Sequence, residues 1–212
     1  VYSLTKDREG GVWAGSFFGG ISYLPKEYTR FSYFIGGKTH PQLLGNAIRE
    51  ITPDRYGNLW LGTEDNGINS YNPRTGEITN YSYNNPGHPL SATNIHGLLA
   101  VENQLWVGTF NKGIDVLDIP SGKIIKHYSR ENSQTNLNSN FILCFYKTRE
   151  NELLVGTSNG LMIYNKQTES FSPWNNIYAL IRQIYQDSRG DIWVATSNGI
   201  YHYLRKENKV EQ

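Results

Sequence analysis

Glu64 and Asp65 stand side by side in this 212-residue chain. A pair of carboxylates can cleave a glycosidic bond when they sit ~5–9.5 Å apart across the sugar. Neighbours on a strand point to opposite faces, and neighbours on a loop have no fixed separation. The pair therefore reads as a solvated loop edge. The five histidines, His40, His88, His96, His127 and His202, are spread without metal-ligand spacing, so no metal is expected, and His96 and His202 fall in strand-like stretches where a structural role is expected. Asp7, Asp54 and Asp187 recur at one place in a repeated pattern, which favours turn formation over general acid chemistry. No Gly-x-Ser-x-Gly elbow or phosphate loop is present, so neither catalytic residues nor a cofactor are expected. The single Cys144 lies in the apolar run Ile142-Leu143-Cys144-Phe145 and reads as a small buried hydrophobe.

The elements that must position these residues come in five copies. Trp13-Ala14-Gly15-Ser16, Trp60-Leu61-Gly62-Thr63, Trp106-Val107-Gly108-Thr109, Leu154-Val155-Gly156-Thr157 and Trp193-Val194-Ala195-Thr196 are anchored 47, 46, 48 and 39 residues apart. That period suits a four-stranded blade of roughly 40–50 residues. Upstream of each anchor lies a short apolar stretch beginning at Val1, Ile48, Ile95, Ile142 or Ile181, suited to an innermost strand buried on both faces. Between them lies a turn such as Asp54-Arg55-Tyr56-Gly57 or Asp187-Ser188-Arg189-Gly190, where Asp opens the turn and Gly supplies positive φ. The fourth copy puts Asn151 in the Gly place, and Asn tolerates that conformation. The third copy has a turn one residue shorter. A large residue two positions before a small one on the same strand face lets neighbouring blades mesh, which makes Trp60, Trp106 and Trp193 core residues. A glycine follows each anchor, at Gly20, Gly67, Gly113, Gly160 and Gly199, and no helix pattern appears. The fold expected is all-β: a β-propeller of five four-stranded blades at about 1–34, 48–83, 95–130, 142–172 and 181–212, the last incomplete at its outer strand, forming an arc of a larger propeller. Both ends look cut from something longer.

Net charge +1 with scattered Lys and Arg offers no footprint for nucleic acid or an anionic membrane. No stretch approaches the ~20 apolar residues of a membrane span, and no signal peptide opens the chain.

Asp54, Gly57, Trp60, Gly62, Thr63 and Gly67 carry the pattern Asp-x-x-Gly-x-x-Trp-x-Gly-Thr followed by a glycine. This resembles the two-component regulator propeller repeat. The segments Pro89-Leu90-Ser91-Ala92-Thr93-Asn94-Ile95 and Leu137-Asn138-Ser139-Asn140-Phe141-Ile142 are similar to that family's linkers. The resemblance implies the periplasmic sensor region of a Bacteroidetes hybrid two-component system, one that detects oligosaccharides to regulate polysaccharide use. Its partners would be the oligosaccharide, the remaining blades or a second propeller of a longer chain, and a second copy in a homodimer. Membrane contact would come only through that longer chain. A structural interaction module and a propeller lyase or glycosidase are the competing readings.

One rim of such a propeller carries the longer, variable loops, where function tends to reside. Its second-to-third-strand loops offer Phe17-Phe18, Glu64-Asp65-Asn66 and Phe110-Asn111-Lys112. Aromatics supply contact area for a sugar ring, and Asn, Asp, Glu and Lys supply hydrogen bonds. The candidate ligand-binding residues are Phe18, Glu64, Asp65, Phe110, Asn111 and Lys112.

Overall fold

Each repeat folds as an antiparallel meander, because short β-branched and aromatic runs alternate with tight turns. A computed structural model describes residues 3–6, 8, 11–16, 20–24, 43–45 and 47–212. Two compact units result, Val1–Phe34 and Ile35–Gln212. In the first, β1 (Ser3–Lys6), β2 (Val12–Ser16) and β3 (Gly20–Leu24) form a three-stranded sheet; the fourth strand expected of this blade falls outside the described residues. The second unit holds four sheets of four strands each. They comprise β4 (Ile48–Pro53), β5 (Leu59–Thr63), β6 (Ile68–Tyr71) and β7 (Ile78–Tyr81); then β8 (Ile95–Val101), β9 (Gln104–Thr109), β10 (Ile114–Asp118) and β11 (Lys123–Tyr128). The next two comprise β12 (Ile142–Lys147), β13 (Leu153–Thr157), β14 (Gly160–Asn165) and β15 (Ser170–Pro173); and β16 (Ile181–Gln186), β17 (Ile192–Thr196), β18 (Gly199–Leu204) and β19 (Lys209–Glu211). The expectation of a missing outer strand in the last blade is corrected. β19 is present but short, pairing three residues with β18. No helix occurs among the described residues.

The sheets mesh through the period-two alternation of β-strands. Trp60 packs with Ile95, Leu98, Leu105 and Val107 of the next sheet. Trp106, one residue on from Leu105, faces the other way and packs with Ile142, Phe145, Leu153 and Val155. Leu154 then faces Ile181, Ile184, Ile192 and Val194. The small residue two after each anchor makes the close approach possible. A Cβ on Gly108 would lie 2.7 Å from Ile142 Cγ2, and one on Gly156 would lie 2.7 Å from Ile181 Cγ2.

Trp193 departs from expectation. It is only partly buried and stacks on His202 at 3.8 Å. Its strand face is the one that the next sheet covers in the preceding blades. Among the described residues of Ile35–Gln212 no further sheet lies there, and its neighbours Tyr185 and Ile200 are 60% and 59% exposed.

The recurring aspartate does more than open a turn. Asp54 Oδ1 accepts the backbone N–H groups of Tyr56 (2.8 Å) and Asn58 (3.0 Å), while Oδ2 accepts the Trp60 indole N–H at 2.9 Å. Asp187 repeats this, taking the N–H groups of Arg189 and Asp191 and the Trp193 indole at 3.2 Å. Asp and Trp therefore occur together because one carboxylate ties the hairpin to the interblade anchor. Where Leu154 replaces Trp, Thr148 replaces Asp and closes the same turn through Glu152 N–H, with Asn151 at φ 66°.

These bonds make the fold acid-sensitive. For Asp187, burial would raise the carboxyl, but the hydrogen bonds from Trp193, Asp191 and Arg189 outweigh it and hold it near 2, against an ordinary 3.8. Asp54 is lowered too: burial opposes, and bonds from Asn58, Trp60 and Tyr56 prevail. A depressed folded-state value gives stability that is present above the unfolded value and lost as pH falls through the folded one. Urea midpoints are therefore expected to hold above about pH 4 and to fall between pH 4 and 2. In the Asp187→Asn variant this fall should be shallower, and an unchanged acid limb would refute the assignment.

Cys144 is partly exposed as a residue, but its sulfur lies so close to Gly156 that a Cβ there would meet it at 2.5 Å. Burial, then the charge of Glu50, pushes the thiol up to about 12, so it is a protonated packing group.

Candidate functional site

The loops after the second strands are built alike, from the Gly-Thr half of the repeat. Thr63, Thr109, Thr157 and Thr196 each donate their hydroxyl to the carbonyl of the glycine that opens the next strand, at 2.8–3.0 Å. Gly67 and Gly113 hold φ of 84° and 80°, and a Cβ at either would meet a backbone carbonyl at 2.3 or 2.1 Å. The linkers dock against these loops. Glu64, Phe110, Ser158 and Ser197 donate their N–H to Ala47, Asn94, Phe141 and Leu180, the residues just before each inner strand. Linkers and second-to-third-strand loops therefore share one rim.

A second regularity was not visible in the sequence. Each inner strand of Ile35–Gln212 carries a β-bulge at its second residue. Ile48 pairs with Thr63 and Glu50 with Gly62, leaving Arg49 extra. His96, Leu143 and Arg182 are extra in the same way. A bulge re-aims the side chain it adds. Arg49 reaches the rim loop of its own blade and pairs with Glu64 at 2.8 Å. His96 reaches the equivalent loop residue, Phe110, at 5.5 Å between ring centroids. Phe141, from the linker into β12, closes the group at 4.9 Å from His96 and 4.7 Å from Phe110. His96 is 8% exposed. Burial first, then the charge of Arg49, lowers its pKa against the opposing pull of Glu64, which favours a neutral imidazole.

Three buried polar atoms at this place have no partner among the described residues: Ser91 Oγ, Asn94 Oδ1 and His96 Nδ1. All lie within residues 91–96, the linker and first turn of β8. Buried polar groups in folded proteins are almost always paired, so a run of three unpaired atoms needs an explanation that packing does not supply.

Of the residues singled out from sequence, Glu64, Asp65, Phe110, Asn111 and Lys112 are exposed on these loops. Phe18 lies outside the described residues. The structure joins Glu64 to Arg49 and Phe110 to His96. Asp65 stands instead against the linker, where a Cβ on Gly45 would meet its Oδ1 at 2.5 Å. Arg49, Ser91, Asn94, His96 and Phe141 were missed. The one available signal was that Arg49, His96 and Arg182, all polar, occupy the second position of otherwise apolar stretches.

On the opposite rim, Asp187, Asp191 and His202 bring ligand atoms within 4.8 Å of one another. Both Asp187 oxygens accept N–H groups, Asp191 Oδ1 accepts Arg205 N–H, and Arg189 faces both carboxylates at 3.2 and 3.7 Å. The group is a structural knot neutralised by arginine.

Meanders meshing blade to blade, with a turn carboxylate tied to an interblade tryptophan, define a β-propeller. The model for the two-component regulator propeller matches residues 42–65 and 173–198, so those two stretches are two-component regulator propeller repeats. Histidine kinase P4 of Formosa agariphila is 37% identical over 195 residues, covering 86% of this chain and 14% of that protein. Among solved structures, the extracellular domain of BT3049 of B. thetaiotaomicron, described as a hybrid two-component system, superposes with TM-score 0.68 at 25% identity, over 98% of this chain and 29% of the other. That of BT4673 gives 0.69 at 23%, over 99% and 30%, a likeness of fold. The chain thus spans only a minor part of each of these relatives.

Proposed function

We propose that the loop rim is the sensing surface of a periplasmic sensor in a hybrid two-component system, and that it detects an oligosaccharide. The observation that carries this is the exposed ring of Phe110 held against His96, with the exposed Arg49–Glu64 pair close enough to act on the same imidazole. Sugar hydroxyls both donate and accept, so they can bond the exposed Arg49 and Glu64 side chains together. A pyranose face suits an exposed aromatic ring. The site is rigid, since both loops are closed by threonine hydroxyls, which keeps the ordering cost of binding low. No catalytic role is proposed. Signalling activity belongs to the longer protein, whose relatives are named as kinases and two-component systems.

The test is a thermal-shift and calorimetric screen of the intact protein against plant and host oligosaccharides. A ligand at 100 times its Kd stabilises the folded state by about 2.7 kcal/mol. Phe110→Ala is expected to weaken binding about tenfold or more with little change in the unliganded Tm. No shift from any glycan class would overturn the reading.

A structural-interaction reading has one observation in its favour. The face of the last blade that carries Tyr185 and Ile200 is apolar and exposed. Such patches mark contact sites, and further blades or a second propeller of a longer chain would cover it.

A further inference from the structure

The regular rim, opposite the proposed sensing surface, holds a cavity of about 590 Å³ between the third and fourth sheets of the chain. That volume lies in the range of small-ligand sites. It exists because the third blade breaks the repeat. Trp60 pairs across the hairpin with Thr52, and Asp54 stands two residues beyond. Trp106 pairs with Leu99, and Val101 stands in the corresponding place. The turn that follows is only Glu102–Asn103, one residue shorter, with Glu102 at φ 55°. The rim drops there, and no carboxylate stands where Asp54 and Asp187 take the indole N–H of their own blades. Trp106 is 3% exposed and lines the cavity, with Tyr128 and Tyr164 beside it.

Cations ring the opening. Arg55, Lys147 and Lys166 line it and are exposed. None of the three forms an ion pair among the described residues, whereas Lys126 is neutralised by Glu169. Glu102 and Asp118 also line it and form no ion pair among the described residues, so three unpaired cations against two unpaired carboxylates leave the opening net positive, which favours an anion. The rest of the lining is rich in amides, Asn103, Gln104 and Asn151. That suits a polyhydroxylated ring better than an aromatic acid, whose edges would leave those groups unpaired.

We propose that this cavity is a second ligand site, for a sugar acid of one or two rings. Its carboxylate meets Lys147, Lys166 or Arg55, and its hydroxyls meet the amides and the Trp106 N–H. The proposal is independent of the sensing rim, whose residues it does not use.

The test titrates the intact protein at low ionic strength with D-galacturonate, D-galactose and benzoate, following heat and tryptophan fluorescence. Galacturonate is expected to bind at least about tenfold more tightly than either control. Two variants should each weaken it by about tenfold or more, a difference of 1.4 kcal/mol. The first is the exposed pair Lys147→Glu with Lys166→Glu. The second is Val101→Asp, which restores the carboxylate that caps the anchor tryptophan in two other blades. The Phe110→Ala variant should bind galacturonate unchanged. Absence of binding, equal binding by galactose or benzoate, or indifference to the lysine variants would overturn the proposal.

Discussion

Trp60→Ala is expected to destabilise the protein by about 3–5 kcal/mol, the range for truncating a buried tryptophan. The side chain is 1% exposed and fills the space between two sheets, against Tyr81 at 5.4 Å and the inner strand at Ile95 and Leu98. Its loss also strips Asp54 Oδ2 of the indole donor. Trp60→Phe separates the two contributions. It keeps most of the apolar contact and loses the hydrogen bond, a net term of about 1 kcal/mol plus the smaller cavity. Trp193→Ala should cost clearly less than Trp60→Ala, since that ring is only partly buried. Urea unfolding of the intact protein gives all three values. A Trp60→Ala loss below about 1 kcal/mol, within the range of surface substitutions, would contradict the packing described.

Gly108→Val should be nearly as damaging, by the opposite route. The strand conformation at Gly108 is not left-handed, so the backbone would accept valine; the neighbour would not. The first added carbon alone lies 2.7 Å from Ile142 Cγ2, 2.9 Å from Ile142 Cβ and 3.0 Å from Phe145 Cε2. Overpacking of this kind costs about 1–3 kcal/mol and at times more. Shortening the partner relieves it. Ile142→Ala alone loses about 2–5 kcal/mol, yet the double variant should be more stable than the sum of the single losses by at least about 1 kcal/mol, as expected for touching residues. Additive losses would show that the two positions do not meet.

Much of this fold was legible because each copy repeats the same local solution. Inner strands, the Asp-to-Gly turn, Asn151 in the glycine place and the large-small pairing of Trp106 with Gly108 all follow from residue types at fixed offsets. What escaped was whatever depends on cross-strand register. The bulges at Arg49 and His96 have no sequence mark, since a bulge is defined by how two strands pair. His96 read as an ordinary strand histidine, and its orphaned nitrogen appears only once its surroundings are built. The Asp54–Trp60 bond was likewise unread, although the six-residue spacing of its partners was in plain view. Trp193 was placed in the core by analogy with its repeats, but burial depends on the sheet that follows. The loop positions of Glu64 and Phe110 were readable from the repeat, while the buried residues beneath them were not. The shortened turn at Glu102–Asn103 was noted as an irregularity, and its consequence, an opened cavity above Trp106, required the third dimension.

The glycine of one sheet receives the isoleucine of the next, Gly62 with Ile95, Gly108 with Ile142 and Gly156 with Ile181. The socket is always on the earlier blade and the plug on the later one. Such a joint is head-to-tail and has no self-complementary form. Duplicating a gene segment that encodes one blade therefore supplies a ready socket and a ready plug, with no compensating change elsewhere. Loops can diversify from copy to copy while the joint stays the same, so a lineage can vary its rims without renegotiating how it holds together.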